Sequence, residues 1–171
     1  MIKKNFGNNK QSLNFVKSLP DTTIEYSGIE TKCKFNLAYF DDTQSAGQDF
    51  DQWGQTTGIA SLKNILEKFK EYTKQPLVYW QNQRVGGGGL KVLELYGDFP
   101  TKSDFKHPKH VPVDAHWARF RLGNKVRLVG FVISKEAIKN LPESEQDKFC
   151  HNTFYVVFLD KDHKFYKTET A

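Results

Sequence analysis

Sulfur is scarce in this chain: 171 residues hold two cysteines and one methionine. Cys33 and Cys150 show no metal-ligand spacing, and a reduced intracellular pair is the expectation for two such thiols. Residues 1–20 lack the continuous apolar stretch of a secretory signal, and no run approaches the ~20 apolar residues that cross a bilayer. The expected setting is therefore the cytoplasm, with no membrane partner. Familiar chemical motifs are missing too. Gly86–Gly89 is followed by no Lys-Ser/Thr and no G-x-G-x-x-G opens a helix, so the glycine run reads as a flexible loop. There is no G-x-S-x-G elbow, and Cys150 beside His151 in sequence does not build a nucleophile–base pair. Arginine is rare: only Arg84, Arg119, Arg121 and Arg127 occur among 25 Lys and Arg.

What is present describes a folded protein. Hydrophobic residues make up 38% and aromatic residues 14%, with 14 phenylalanines, enough to build a core rather than a disordered chain. The length fits a single domain spanning 1–171, with residues 1–30 as a weakly patterned arm and residues 97–112 as a proline-rich loop. A net charge of +5 favours acidic partners such as nucleic acid or an acidic protein, although a lysine excess also serves solubility.

Periodicity supplies the elements. Cys33–Leu37 alternates polar with apolar and predicts a half-buried strand. Leu62, Ile65, Leu66, Phe69 and Tyr72 recur at helical spacing and predict a helix over about 59–72 that covers a sheet. A short helical or extended element is expected at 77–83, and 90–96 fits either a strand or a helical turn. Pro100, Pro108 and Pro112 preclude regular structure over most of 97–112, a loop that also carries His107 and His110. Residues 134–149 predict one or two short helices, and 152–159, apolar on both faces, a central strand. The fold class is α+β, with a small antiparallel sheet packed against one or two helices.

The densest signal is His116–Ile133. Two apolar-rich runs flank Gly123-Asn124, a dipeptide suited to a two-residue hairpin loop. That loop sets Leu122 opposite Lys125 and Phe120 opposite Arg127. Arg127 then shares a face with His116 and Phe120, while Arg119 and Arg121 project from the other. Three of the four arginines thus sit on one hairpin, and cations on a sheet call for an anion. RNA cleavage without a metal needs a base, an acid and cations for the growing negative charge. Arg119, Arg121 and Arg127, with His163 and Tyr166 after the next strand, supply these groups. Surface ion pairing of the arginines is the plainer alternative. A metal site built from His107, His110 and His116 is another, although no zinc or calcium pattern fixes the remaining ligands.

The hairpin Arg119-Phe120-Arg121-Leu122-Gly123-Asn124-Lys125-Val126-Arg127-Leu128-Val129-Gly130-Phe131, the run Thr153–Leu159, and then His163-Lys164-Phe165-Tyr166 resemble the RelE/ParE superfamily of bacterial toxins over about residues 115–166. The resemblance implies a RelE-like α+β domain acting as an endoribonuclease on mRNA, often ribosome-bound, neutralised by an antitoxin and using no cofactor or metal. Residue by residue, it implies Arg119 or Arg121 with Arg127 on the scissile phosphate and His163 and Tyr166 as acid and base. With His116, which the hairpin register sets beside Arg127, the candidate catalytic set is His116, Arg127, His163 and Tyr166, and Arg119, Arg121, Lys125, Lys161 and Lys164 are the candidate RNA contacts. The greater length, the 97–112 loop and the 134–149 insertion depart from that pattern. The alternative from a different class is a non-catalytic basic module binding nucleic acid or an acidic partner protein.

Overall fold

A computed structural model describes residues 10–167. The chain divides into two units, Met1–Glu30 and Thr31–Ala171. In the first, α1 (Lys10–Ser18) buries none of its residues. Leu13, Phe15 and Val16 are all exposed, as are Ile24 and Tyr26 beyond it.

The second unit follows the order β1 (Lys34–Asn36), α2 (Phe50–Gly54), α3 (Leu62–Tyr72), α4 (Leu77–Asn82), β2 (Arg84–Val85), β3 (Leu90–Lys91), β4 (Leu93–Gly97), β5 (His116–Arg121), β6 (Arg127–Val132), α5 (Lys135–Lys139), α6 (Glu143–Gln146) and β7 (Thr153–Asp160). It is an α+β architecture. Five strands form one sheet in the order β1-β7-β6-β5-β4, and β2 and β3 make a separate ribbon closed by the glycine run. The expected all-antiparallel sheet is corrected at one edge, where β1 pairs with β7 in parallel. Among the described residues no helix is long and apolar enough to cross a membrane.

Each face of the sheet has its own core. Leu93, Ala118, Phe120, Leu128, Phe154, Val156 and Leu159 face the helices, meeting Trp53, Ile65, Tyr72, Leu77 and Trp80. Helix α3 starts where the Ser61 hydroxyl accepts from the Asn64 N–H at 3.2 Å, satisfying a donor that the first turn leaves free. Its Tyr72 stacks on Phe120 with centroids 4.4 Å apart and donates its hydroxyl hydrogen to the Arg121 carbonyl at 3.0 Å. Leu66, expected on this apolar face, is instead 58% exposed.

The opposite face is covered mainly by loops. Trp117, Val129, Phe131 and Phe158 are covered by Phe105 and Val111 from the proline-rich segment and by Phe165 beyond β7. Phe99 and His107 also pack on Trp117, both at centroid distances near 5 Å (4.9 and 5.4 Å). The loop that carries no regular structure therefore closes half of the interior. On this face Arg127 is buried, and Arg119 and Arg121 are half-buried.

Two backbone details set which residues share a face. First, the hairpin turns through three residues rather than two. The Leu122 N–H bonds the Val126 carbonyl at 3.1 Å, and Arg121 pairs with Arg127. This shift by one residue replaces the expected Phe120–Arg127 pair with Phe120–Leu128 and moves every side chain of β6 relative to β5. Second, Val129 pairs with Phe158 but Gly130 pairs with Val156, so Val157 is an extra residue in β7. Such a bulge reverses the alternation beyond it. Phe154 and Val156 face the helices, while Phe158 joins the loop-covered core.

Gly130 makes the bulge possible. A Cβ there would meet the Tyr155 carbonyl oxygen at 2.0 Å and the Phe154 ring at 2.8 Å, and neither backbone nor buried ring can retreat cheaply. We expect Gly130→Ala to cost at least about 3 kcal/mol in urea unfolding. Gly87→Ala, where nothing lies within 4 Å, should leave the midpoint within about 0.5 kcal/mol of the parent.

Candidate anion site

The three-residue hairpin loop brings Arg119, Arg121 and Arg127 onto the loop-covered face. The expected division, with Arg127 beside His116 and the other two opposite, is thereby corrected. His116 pairs with Val132 at the other end of β5, five residues from Arg121 and roughly 17 Å along the strand. The structure does not bring it to the arginines.

Arg127 is only 3% exposed. One Nη donates to the Gly123 and Val126 carbonyls, each at 2.8 Å, tying the side chain to the hairpin loop. Its Nε is buried with no partner, and so is that of Arg121. Burial first, then the fields of Arg119 and Arg121, push the Arg127 guanidinium down to about 9. Arg121 is lowered for the same reasons, burial and then Arg119. Among the described residues, no ion pair involves any of these three arginines.

Asp160 is the carboxylate best placed to balance them, as the cross-strand partner of Arg127. Its oxygens are engaged elsewhere. They accept the backbone N–H groups of Asp162 at 3.1 Å, Lys164 at 3.0 Å and Phe165 at 2.9 Å. Fully buried, it is raised by desolvation against the opposing pull of those three bonds and of Arg127. What Asp160 does is fold residues 160–165 into a tight turn. That turn sets His163 at φ 62°, a left-handed conformation unusual outside glycine.

His163 is thereby carried to the arginines. Its Nε2 lies 2.7 Å from an Arg119 Nη, and because a guanidinium can only donate, Nε2 accepts and the neutral ring carries its proton on Nδ1. Burial first, then Arg127, Arg119, Arg121 and Lys125, push the imidazole down to about 4. It is thus neutral at pH 7 amid fixed positive charge.

Tyr96, which the sequence analysis did not single out, completes the site. Its hydroxyl is buried without a partner and is pushed up to about 12 by desolvation, with Arg119 pulling the other way. The Arg119 guanidinium carbon lies 5.5 Å from the centre of the Tyr96 ring, within cation–π range. Tyr166, 40% exposed, stacks on the same ring with centroids 4.9 Å apart. The only cue to Tyr96 in the sequence is its place in the alternating segment 93–97. Its neighbours depend on a register that the sequence does not display.

The remaining candidates fall nearby or apart. Lys125 lies exposed in the hairpin loop. Lys161 and Lys164 flank His163 in sequence but line a separate polar cavity with Trp53 and Gln48. His107 and His110 stay in the proline-rich segment, where His110 Nε2 lies 3.1 Å from the Tyr39 carbonyl. Among the described residues no group of three or more His, Cys, Asp or Glu could hold a metal ion.

The site therefore gathers three guanidiniums from two strands, a neutral imidazole and two stacked phenols, with unsatisfied N–H and O–H donors and no bound carboxylate. Its chemical complement is an oxyanion. No family model, curated protein or solved structure matches the chain.

Two measurements probe this geometry. Between pH 6.5 and about 4, the unfolded chain binds a proton at His163 that the native state does not. The stability from this group is complete above pH 6.5 and is lost as pH falls towards 4, by on the order of 2–3 kcal/mol. His163→Asn, which tolerates the left-handed backbone, should remove that part of the pH slope in denaturant titrations. Arg121→Met, replacing a half-buried cation that no carboxylate pairs, should leave stability unchanged or raise it by about 1 kcal/mol while weakening sulfate or phosphate binding.

Proposed function

We propose that the chain is a RelE-like, metal-independent endoribonuclease whose arginine face takes the scissile phosphate of RNA. The single observation that carries this reading is the cluster of three guanidiniums, none in an ion pair among the described residues, with His163 hydrogen-bonded to one of them. Arg119 and Arg121 would contact the phosphate, and the buried Arg127 would strengthen the field from behind. The phosphate would draw Arg119 away from His163, leaving Nε2 free to accept a proton. The bound anion would also offset the arginine charges that depress the imidazole, returning it towards its ordinary value near 6.5.

The 2′-oxygen then attacks phosphorus as His163 takes its proton. The bond to the 5′-oxygen breaks, and that oxygen gains a proton, with Tyr166 and Tyr96 closest to supply it. The products are a 2′,3′-cyclic phosphate and a 5′-hydroxyl end. The cluster carries more positive charge than a single phosphodiester balances, which favours the doubly charged phosphorane over the ground state. Lys125, Lys161 and Lys164 would hold the flanking RNA. Ribosome-bound mRNA as substrate and an antitoxin as partner belong to the same proposal, and rest on the sequence resemblance.

The engagement of His163 Nε2 by Arg119 also suits a second reading, a binding module that holds RNA without turnover. Incubating short RNAs with the protein in excess EDTA separates the two. Cleavage to cyclic phosphate ends, reduced at least about 100-fold in His163→Asn and in the Arg119→Ala/Arg121→Ala double variant, supports the enzyme. Salt-sensitive binding of intact RNA supports the module. For the enzyme, the acid limb of kcat/KM should fall near pH 4, the free-protein value, and that of kcat nearer 6.5.

A further inference from the structure

At the other end of β6 lies a second cavity, of about 360 Å³, within the range of small-molecule sites. Three of its rings form a corner. Phe131 and Tyr155 are parallel, 9° between planes and 4.7 Å between centroids, and Tyr39 stands perpendicular to both at 5.1 and 5.7 Å. Phe149, 40% exposed, lines the side towards the short helices. Residues 114–116, where the chain enters β5, line one side, and Ser134 at the start of α5 adds a polar group on another. Asp114 and His116 are both exposed there, and neither has a hydrogen bond or ion pair among the described residues. The cavity thus offers flat aromatic walls and, at its rim, the carboxylate of Asp114.

The complement of that arrangement is a planar ring with apolar faces and N–H donors along one edge. We propose that this cavity binds a nucleobase of guanine type, stacked against the aromatic corner, with the Asp114 carboxylate accepting its paired N–H groups. Bidentate acceptance by a carboxylate requires two adjacent donors. Guanine presents two on its pairing edge, whereas adenine presents an acceptor beside its amino group. A quaternary ammonium, the other guest of aromatic corners, has no N–H for that carboxylate to accept. Phe131 and Arg127 lie four residues apart in β6 and on the same face, roughly 13 Å along the strand. A base in the cavity and a phosphate at the arginines can therefore belong to one RNA strand. In this, the inference rests on the proposed RNA reading, but the cavity itself can be tested without it.

The test uses nucleosides, which carry no phosphate, titrated into the full chain and followed by amide chemical shifts. Guanosine should perturb residues 114–116 and 131–133 saturably and bind at least about tenfold more tightly than adenosine. Asp114→Asn, an exposed substitution that spares the core, should abolish that preference and leave adenosine binding unchanged. Arg121→Met should leave guanosine binding intact, so that a failed phosphate site and a failed base site are read separately. Equal binding of the two nucleosides, perturbations confined to the arginine face, or tighter binding of tetramethylammonium than of guanosine would each overturn the proposal.

Discussion

The cationic face depends on one close approach of backbone to backbone. Gly130 lets the Tyr155 carbonyl come where any side chain would stand, and so lets β7 accommodate the extra residue Val157. Beyond that bulge the strand's parity is reversed. Phe158 turns to the loop-covered core, and Asp160 comes opposite Arg127. From there Asp160 gathers three backbone N–H groups, folds the following turn, and delivers His163 to Arg119. A missing methyl group on β6 thus determines where an imidazole sits after β7. The connection is steric at its origin and electrostatic at its end.

The cluster this creates is costly for the folded state. Arg127 and Arg121 are desolvated and repel each other and Arg119, and the carboxylate nearest in register is occupied by amides. A protein selected for stability alone would place a methionine or leucine at these positions. Sites that keep such groups are enriched in function, because a preorganised charge needs no reorganisation when its ligand arrives. The hydrogen bond from Arg119 to His163 gives one guanidinium a partner without neutralising it.

Much of the architecture was legible in the chain. Helix α3, the short helices of 134–149, the arginine hairpin and the central strand β7 follow from periodicity and turn chemistry, because each is a local consequence of which residues repeat. The site was legible only as a list. Gly123-Asn124 fits a two-residue loop, yet the hairpin adopts three, and a difference of one residue decides whether Arg127 joins Arg119 and Arg121 or turns from them. The bulge in β7 has no local cue, since Val156 and Val157 are equally at home in either register. Its only mark is Gly130, on another strand. Tyr96 and Asp160 escaped notice because their importance lies in their neighbours. Conversely, the proline-rich stretch reads as an irregular loop. Its phenylalanines and His107 nonetheless close a core, because aromatic rings can be buried wherever the backbone's polar groups still reach water or each other.

The parallel pairing of β1 with β7 bears on when the molecule can be completed during synthesis. Lys34–Asn36 must wait unpaired until residues 153–155 have been made, and the turn that carries His163 is translated later still. Chains emerge from the N-terminal side and long-range pairings close last. The helices and the hairpin can therefore collapse early with an open sheet edge, but the arginine face is unfinished until the last strand leaves the ribosome. A nascent chain would hold its cations without its imidazole.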